Sequence, residues 1–449
     1  MVQYDVLVVG SGSGLDIASE AQELGKKVAL VEEGPMGGTC LNRGCIPSKM
    51  LIHASDVAEV IKNSPKFGII AEIKSIDFAA IVKRVTDEVD SDSQSIEKAI
   101  GQSENLTLYK LRGEFVGPKL MRVGKEEITA EKIFIVGGTR ASIPPIPGLD
   151  KTPYITSRQA LRLMIQPRHL IIIGGGYIGC ELAHFFSALG TKVTMISHGD
   201  KLLENEDWEI SDWFTREFSK KVQVIFKGDT EQVSYANGQF QLKLKDQADL
   251  LIGDQLLVAT GRKPNSDLLK VSSLGLALDE KDYIKVNEYL ETNVEGVWAL
   301  GDIVGVSPFK HSANYQAELV IQNVFYNKKL AADYSAIGHA VFSSPQIGGV
   351  GKTEQQLKKE NVPYKVGRAE LKNTGMGAAL QENGLVKVLA DGSGENILGC
   401  HIVGPDASTL IHEAAIAMKA SGKVSAITET VFVHPALSEV LQRAFLAIG

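Results

Sequence analysis

The stretch LIIIGGGYIG, Leu170–Gly179, reads as a short buried strand that breaks at glycines and continues as a helix. Its apolar run is what a parallel strand covered on both faces needs. Gly174 permits a tight turn, Gly176 lets a pyrophosphate approach the backbone, and Gly179 allows the helix to pack closely on the strand. The helix start adds free N–H groups and about half a positive charge. A glycine loop alone also serves as a plain turn, so its context decides the reading. Here Tyr177–Leu189 reads as the helix and KVTMIS, Lys192–Ser197, as the next strand.

The same pattern stands about 160 residues earlier. YDVLVVG, Tyr4–Gly10, is a strand; residues 15–25 read as a helix closed by Gly25; KVALVEE, Lys27–Glu33, is the second strand. This first loop carries Gly10, Gly12 and Gly14, with Leu15 where a third fingerprint glycine would stand. Glu32 ends the second strand, where a carboxylate can accept from a ribose hydroxyl. Two such units suggest two nucleotides on one chain.

Residues 36–62 are expected to form a glycine loop followed by a helix carrying the cysteines, and further helices are expected over residues 76–103, 313–327, 406–421 and 436–447. Pro144, Pro145 and Pro147 set a boundary near residue 150. LLVATGR, Leu256–Arg262, closes the second unit, and GVWALGD, Gly296–Asp302, is a strand ending at Gly-Asp. From about residue 336 strands and helices mix. The expected class is α/β: two Rossmann-like three-layer domains plus a C-terminal α+β domain. The expected bounds are 1–150 completed by 266–335, then 151–265, then 336–449.

A chain of 449 residues with 44% hydrophobic content can bury ordinary cores. Its net charge of −7 argues against nucleic acid as a partner, because phosphate binding needs clustered Lys and Arg. No apolar run reaches the ~18 residues of a membrane span. The chain opens directly on a strand, so no signal peptide and a cytoplasmic location are expected.

Of four cysteines, Cys180 and Cys400 lie in apolar stretches and read as core residues. Cys40 and Cys45 stand in GGTCLNRGCIPSK, Gly37–Lys49, with glycines beside them. Such a loop can close into a disulfide. Pro47 suits a first helical turn, so Cys45 is expected near a helix N-terminus, where thiolate is favoured over thiol. A zinc site would need two more ligands nearby, and none is evident. His434 precedes Pro435, read as the first residue of a helix, and Glu439 follows five residues later. A His-Pro pair alone is often a helix cap, but an imidazole held by a carboxylate can also shuttle a proton.

GGTCLNRGCIPSK resembles the redox-active disulfide motif of the pyridine nucleotide–disulfide oxidoreductases. These include dihydrolipoyl dehydrogenase, glutathione reductase, mycothione reductase and mercuric reductase. The resemblance runs through GGGYIG, ATGRKPN (Ala259–Asn265), ALGD (Ala299–Asp302) and HPALSE (His434–Glu439). It implies FAD as cofactor. Gly10, Gly12, Gly14 and Glu32 would hold its ADP half and Asp302 its flavin side. Gly38, Thr39, Gly138, Gly261 and Arg262 would be further cofactor contacts. Lys49 would lie near the reactive flavin nitrogen, paired with Glu181, and Tyr177 would cover the nicotinamide pocket. Gly174, Gly176, Gly179, Ser197 and His198 would hold NAD(P)H. Ser197 stands where NAD enzymes usually carry an acid, which tilts the balance slightly to NADPH. Cys40 and Cys45 would be the redox pair, and His434 with Glu439 would serve the site of the other subunit of a homodimer.

The motifs resemble dihydrolipoyl dehydrogenase most, which implies a dithiol, or a lipoyl group on a partner protein, as substrate. A reductase of mycothione or glutathione type is the alternative, suggested by the first loop and by FKHSAN, Phe309–Asn314. Arg43 suits an anionic substrate or a solvated surface equally well. A rival of another class is a flavin- and nucleotide-binding sensor or scaffold, which would need neither the cysteine pair nor His434–Glu439.

Overall fold

A computed structural model describes residues 1–448. The chain forms two compact units. The first comprises Met1–Met50, Ala80–Ser142 and Gly261–Asp333; the second comprises Leu51–Ala79, Ile143–Thr260 and Tyr334–Gly449.

In the first unit, Val2–Val9 is the central strand. It pairs in parallel with Val28–Val31 on one side and with Glu126–Ile135 on the other. Leu106–Tyr109 extends the sheet beyond Val28–Val31, and Val297–Ala299 pairs in parallel with Glu126–Ile135. The antiparallel strands Leu120–Val123 and Gly113–Gly117 complete it. Leu7, Val9 and Ile133 face one apolar cluster while Val6, Val8 and Phe134 face another. Alternation across two covered faces explains why these strands are almost wholly apolar. The Gly14–Glu23 helix lays Ile17, Ala18 and Ala21 on the second cluster.

In the second unit a four-stranded parallel sheet runs Gln223–Ile225, Lys192–Ile196, His169–Ile173, Gln255–Val258. The Tyr177–Ala188 helix follows its glycine turn. Both units thus carry the Rossmann-like strand–turn–helix expected of them. The C-terminal part is an α+β layer. Its antiparallel sheet runs His339–Val341, Gln346–Gly351, Ile397–Gly404, Leu385–Asp391, Tyr364–Glu370. Helices Ala407–Ala420 and Glu439–Leu446 pack on this sheet through Ala414, Val440, Leu441 and Phe445.

Two expectations need correction. The last helix begins at Glu439, not at Pro435, so His434 lies in the preceding turn rather than at a helix cap. The cysteines do not share one helix. Cys40 lies in Gly38–Arg43, and Cys45 is the first residue of Cys45–Asn63. No helix among the described residues is long and apolar enough to cross a membrane.

Candidate active site

Gly10 ends the first strand at φ +105°, and a Cβ there would lie 2.3 Å from the Val136 carbonyl oxygen. Only glycine suits that turn. Gly12 has open space where its side chain would be. Glu32 ties the loop down: one carboxylate oxygen accepts from the Ser11 N–H at 3.0 Å and the Ser11 hydroxyl at 2.8 Å, and the other from the Gly34 N–H at 2.7 Å. The close approach of helix to strand falls one residue earlier than the fingerprint suggested. A Cβ on Gly14 would lie 2.8 Å from Val8 Cγ1, whereas Leu15 packs half-buried at the rim of the apolar cluster. Gly14 therefore does the packing work of the missing third glycine.

Gly38 brings the cysteine segment against this loop, since its Cβ would stand 2.7 Å from Gly12 Cα. Asn42 holds the short helix, its amide donating to the carbonyls of Met36 at 2.7 Å and Gly38 at 2.9 Å. Gly44 lets the two helices meet; a Cβ there would lie 2.9 Å from the Thr39 carbonyl oxygen and 3.3 Å from Cys40 Cα. That closeness brings the sulfurs together, with a hydrogen bond between Cys40 and Cys45. The bond to Cys45, then burial, pushes the Cys40 thiol well above its usual range, with the Lys310 ammonium opposing. Lys310 also donates to the Ser13 hydroxyl at 2.9 Å. Its role beside the pair was not legible in FKHSAN. Arg43 ends the Gly38–Arg43 helix with its guanidinium against Gly34, on the Glu32 side of the loop.

Lys49 lies one helical turn beyond Cys45. Asp302 sits in the turn after Val297–Ala299 and accepts from the Thr139 hydroxyl at 2.9 Å. Arg262 Nε donates to the same hydroxyl at 2.7 Å, and its second nitrogen to the Thr139 carbonyl at 2.7 Å. Burial pulls this guanidinium down, while the charges of Asp302, Tyr283 and Cys45 raise it. Gly138 and Gly261 flank the pair of short strands, Thr139–Ala141 and Arg262–Pro264, that carries this network. Thr139 is a residue the sequence did not single out.

In the second unit Gly174 repeats the first turn, at φ +127° and with a Cβ position 2.2 Å from the Ala259 carbonyl oxygen. Gly176 is open, and Gly179 packs 2.4 Å from the Gly174 oxygen by the same measure. Ser197 is buried, its hydroxyl donating to the Lys201 carbonyl at 3.2 Å. His198 is exposed, and the Lys201 ammonium pairs with Asp212 at 2.7 Å. The Glu204 carboxylate fills the space beside Gly199 in the same turn. Glu181 is buried in the Tyr177–Ala188 helix and accepts from the Phe342 N–H at 2.9 Å. The Tyr177 hydroxyl donates to Glu206, which His339 also holds. Neither Glu206 nor His339 carried a signal in the sequence. His434 Nδ1 donates to Glu439 Oε1 at 2.9 Å, and the Ala436 N–H donates to the other oxygen at 3.2 Å. The His434 bond keeps the Glu439 carboxyl below its usual range. The side chain of His434 is 74% exposed.

Residues 4–318 match the family described as pyridine nucleotide-disulphide oxidoreductase, and residues 337–445 match the dimerisation domain of that family. The chain is 34% identical to mycothione reductase of Mycobacterium tuberculosis, with 100% of each chain covered. It is also 34% identical to dihydrolipoyl dehydrogenase of Chlamydia pneumoniae, covering 98% of this chain and 95% of the relative. Among solved structures, HOCl-induced flavoprotein disulfide reductase RclA from Escherichia coli superposes with a TM-score of 0.89 at 28% identity, covering 99% of this chain and 100% of that one. The chain belongs to the pyridine nucleotide-disulphide oxidoreductase family, as a flavoprotein enzyme of FAD and NAD(P)H that acts on sulfur groups.

Proposed function

We propose that this enzyme exchanges electrons between NAD(P)H and a dithiol or disulfide substrate through FAD and the Cys40–Cys45 pair, with a lipoyl dithiol as the substrate. The observation that carries this reading is the sulfur pair itself, adjacent at the start of a 19-residue helix and pressed against an open glycine loop. The first loop fits FAD: Gly12 leaves room a side chain would fill, and the start of the Gly14–Glu23 helix offers N–H groups to a pyrophosphate. When bound, FAD supplies hydride acceptance from the nicotinamide and delivery of an electron pair to sulfur.

In this reading two electrons and one proton open the disulfide to a Cys40 thiol and a Cys45 thiolate. The helix start and the Arg262 charge favour the anion on Cys45. The Cys40 thiol gives its proton to His434 of the partner subunit and attacks a substrate disulfide as thiolate. One substrate sulfur leaves and takes the proton held by His434 of the partner subunit. Cys45 next attacks Cys40 in the mixed disulfide, which restores the internal bond and releases the second substrate sulfur as a thiolate that takes a proton from solvent. Dithiol oxidation runs in reverse, with the same imidazole as base. Glu439 holds His434 Nδ1–H, which leaves Nε2 for the proton. The homodimer is supported by the dimerisation domain and by Val431 and Val433, apolar residues beside His434 that are 95% and 78% exposed. Lys49 would attend the flavin nitrogen, and Asp302, Thr139 and Arg262 its ring side.

A second reading, an NADPH-dependent reductase of a small disulfide, is favoured by the full-length similarity to mycothione reductase. A steady-state screen of NADH and NADPH against lipoamide, glutathione disulfide and a mycothiol-type disulfide separates the two. Cys45→Ser enzyme should retain flavin and lose disulfide turnover by at least about a thousandfold. Undiminished turnover in that variant would remove the mechanism.

A further inference from the structure

Lys310 is the first residue of a 16-residue helix, Lys310–Phe325. No acidic residue stands in that first turn, and a cation at a helix start meets the positive end of the helix dipole. A lysine here weakens its own helix, yet its ammonium is held in place. It donates to the Ser13 hydroxyl at 2.9 Å and to Asn314 Oδ1 at 2.5 Å, and the Ser13 hydroxyl donates to the same Asn314 oxygen at 2.8 Å. Ser13 is buried and caps the Gly14–Glu23 helix, so the start of a second helix adjoins the ammonium. Two positive helix ends and a cation meet here, and among the described residues both acceptors of the ammonium are neutral.

Cys40 comes to the same corner. The Cβ position on Gly38 lies 2.7 Å from Gly12 Cα, so the short helix that carries Cys40 touches the loop one residue before Ser13. All of these residues belong to the first compact unit. Among the described residues two of the three ammonium hydrogens are used, and one remains for a further acceptor. The bond to Cys45 and burial hold the Cys40 proton, and the Lys310 charge opposes both. That opposition matters at one step. When Cys40 gives up its proton, Cys45 is already an anion, and a like charge so close resists the ionisation.

We propose that Lys310 is a positioning residue for the reacting sulfur: anchored by Ser13 and Asn314, its ammonium is the counter-charge of the Cys40 thiolate and sets how readily Cys40 attacks at neutral pH. This rests on the reading of Cys40 and Cys45 as the redox pair. His434 of the partner subunit takes the proton, and Lys310 steadies the charge left on Cys40 Sγ. The other charged and titratable groups around the pair are Cys45, Glu32 on Ser11 and Gly34, Arg43 against Gly34, Lys49 a turn beyond Cys45, Arg262 with Asp302, and His311, whose ring stacks on Phe309. All of them stay in place in the variants below.

The test is alkylation of the flavin holoenzyme by iodoacetamide across pH, after anaerobic reduction with NADH or NADPH. The thiolate sulfur displaces iodide, so the rate follows ionisation, and the neutral reagent is not drawn to a cation. Arg43 lies between the cysteines, so tryptic peptides separate Cys40 from Cys45 and mass mapping assigns the site. Lys310→Gln keeps an N–H donor but no charge. It should move the midpoint of the Cys40 profile upward by about 1 pH unit, the low end for losing an opposite charge, because Lys310 is only half-buried. Alkylation at neutral pH then slows about tenfold. Lys310→Arg keeps the charge and should leave the midpoint near its original place. An unchanged midpoint in Lys310→Gln, with or without weaker flavin binding, overturns the proposal. A Lys310→Arg profile displaced as far as that of Lys310→Gln also overturns it, because the lysine is then a brace alone. Equal alkylation of Cys40 before and after reduction shows instead that the pair takes no electrons, and the redox-pair reading falls with it. Should Lys310→Gln fail to fold, Lys310→Met, which keeps the apolar stem, is read in the same way with the same opposing outcomes.

Discussion

A methyl group on Gly10 would have to lie 2.3 Å from the Val136 carbonyl oxygen at a φ of +105°. Both the clash and the backbone region oppose it, at a cost of about 1–3 kcal/mol for the strain alone. Gly10→Ala should therefore lower the flavin content of the purified protein, read from its visible absorbance; full flavin content would show that the turn tolerates a side chain. The residue scale also bears on nucleotide choice. Ser197 brings no charge against a 2′-phosphate, but the Glu204 carboxylate at Gly199 adds one to the same turn. Removing an exposed repulsion of this kind is worth about 0.2–1 kcal/mol, so Glu204→Gln should raise the NADPH-over-NADH ratio of kcat/KM by about 1.4- to fivefold. An unchanged or lowered ratio would mean Glu204 does not face the ribose. The glycines, the cysteine pair and His434 with Glu439 were legible as residues because their chemistry is local. Thr139, Glu206 and Lys310 were not, since each matters only through partners distant in sequence.

At the scale of elements, a rank across the C-terminal sheet meets one acidic turn. Lys387 is fully buried, and its ammonium lies 2.7 Å from Asp207 and 2.6 Å from Glu354. Burial would lower the Lys387 pKa, but these carboxylates more than offset it and the pKa rises. Lys387→Met leaves Asp207 and Glu354 without their shared counter-charge, and should cost about 3–5 kcal/mol, because breaking a buried pair strands the remaining charge. Differential scanning calorimetry checks this; a loss within about 1 kcal/mol would mean the carboxylates find other partners. Strands and helices were largely foreseen from apolar periodicity and glycine breaks. The start of the last helix was misplaced because Pro435 looked like a first-turn residue, while the backbone holds an intervening turn closed by Glu439. The separation of Cys40 and Cys45 into two helices depends on Gly44 admitting a close contact that composition does not reveal.

At the scale of the molecule, stability should depend on pH in two stages. Burial depresses the pKa of His401 and of His169, so the unfolded chain binds their protons first. Their neutral forms favour the folded state above the unfolded value of ~6.5, and that contribution falls as pH drops below it. Asp267, held by Arg140, and Glu354, held against burial by Lys358 and Lys387, have depressed carboxyls. Their contribution is present above the unfolded ~4 and is lost as pH falls toward the folded values. Tm should thus decline gently from about pH 6.5 and steeply below about pH 4. A Tm that stays level down to pH 4 would contradict the buried neutral histidines.

The sequence by itself determined the doubly Rossmann-like class, the two glycine turns, the sulfur pair and the family. Those features are encoded in contiguous residues whose spacing is the geometry. Only the tertiary structure decided that Gly14 replaces the third fingerprint glycine, that Lys310 stands beside Cys40, and that His339, Gly349 and His401 align to hold Glu206 under Tyr177. Strand register and side-chain approach across long loops arise from packing the whole chain, so no local pattern carries them.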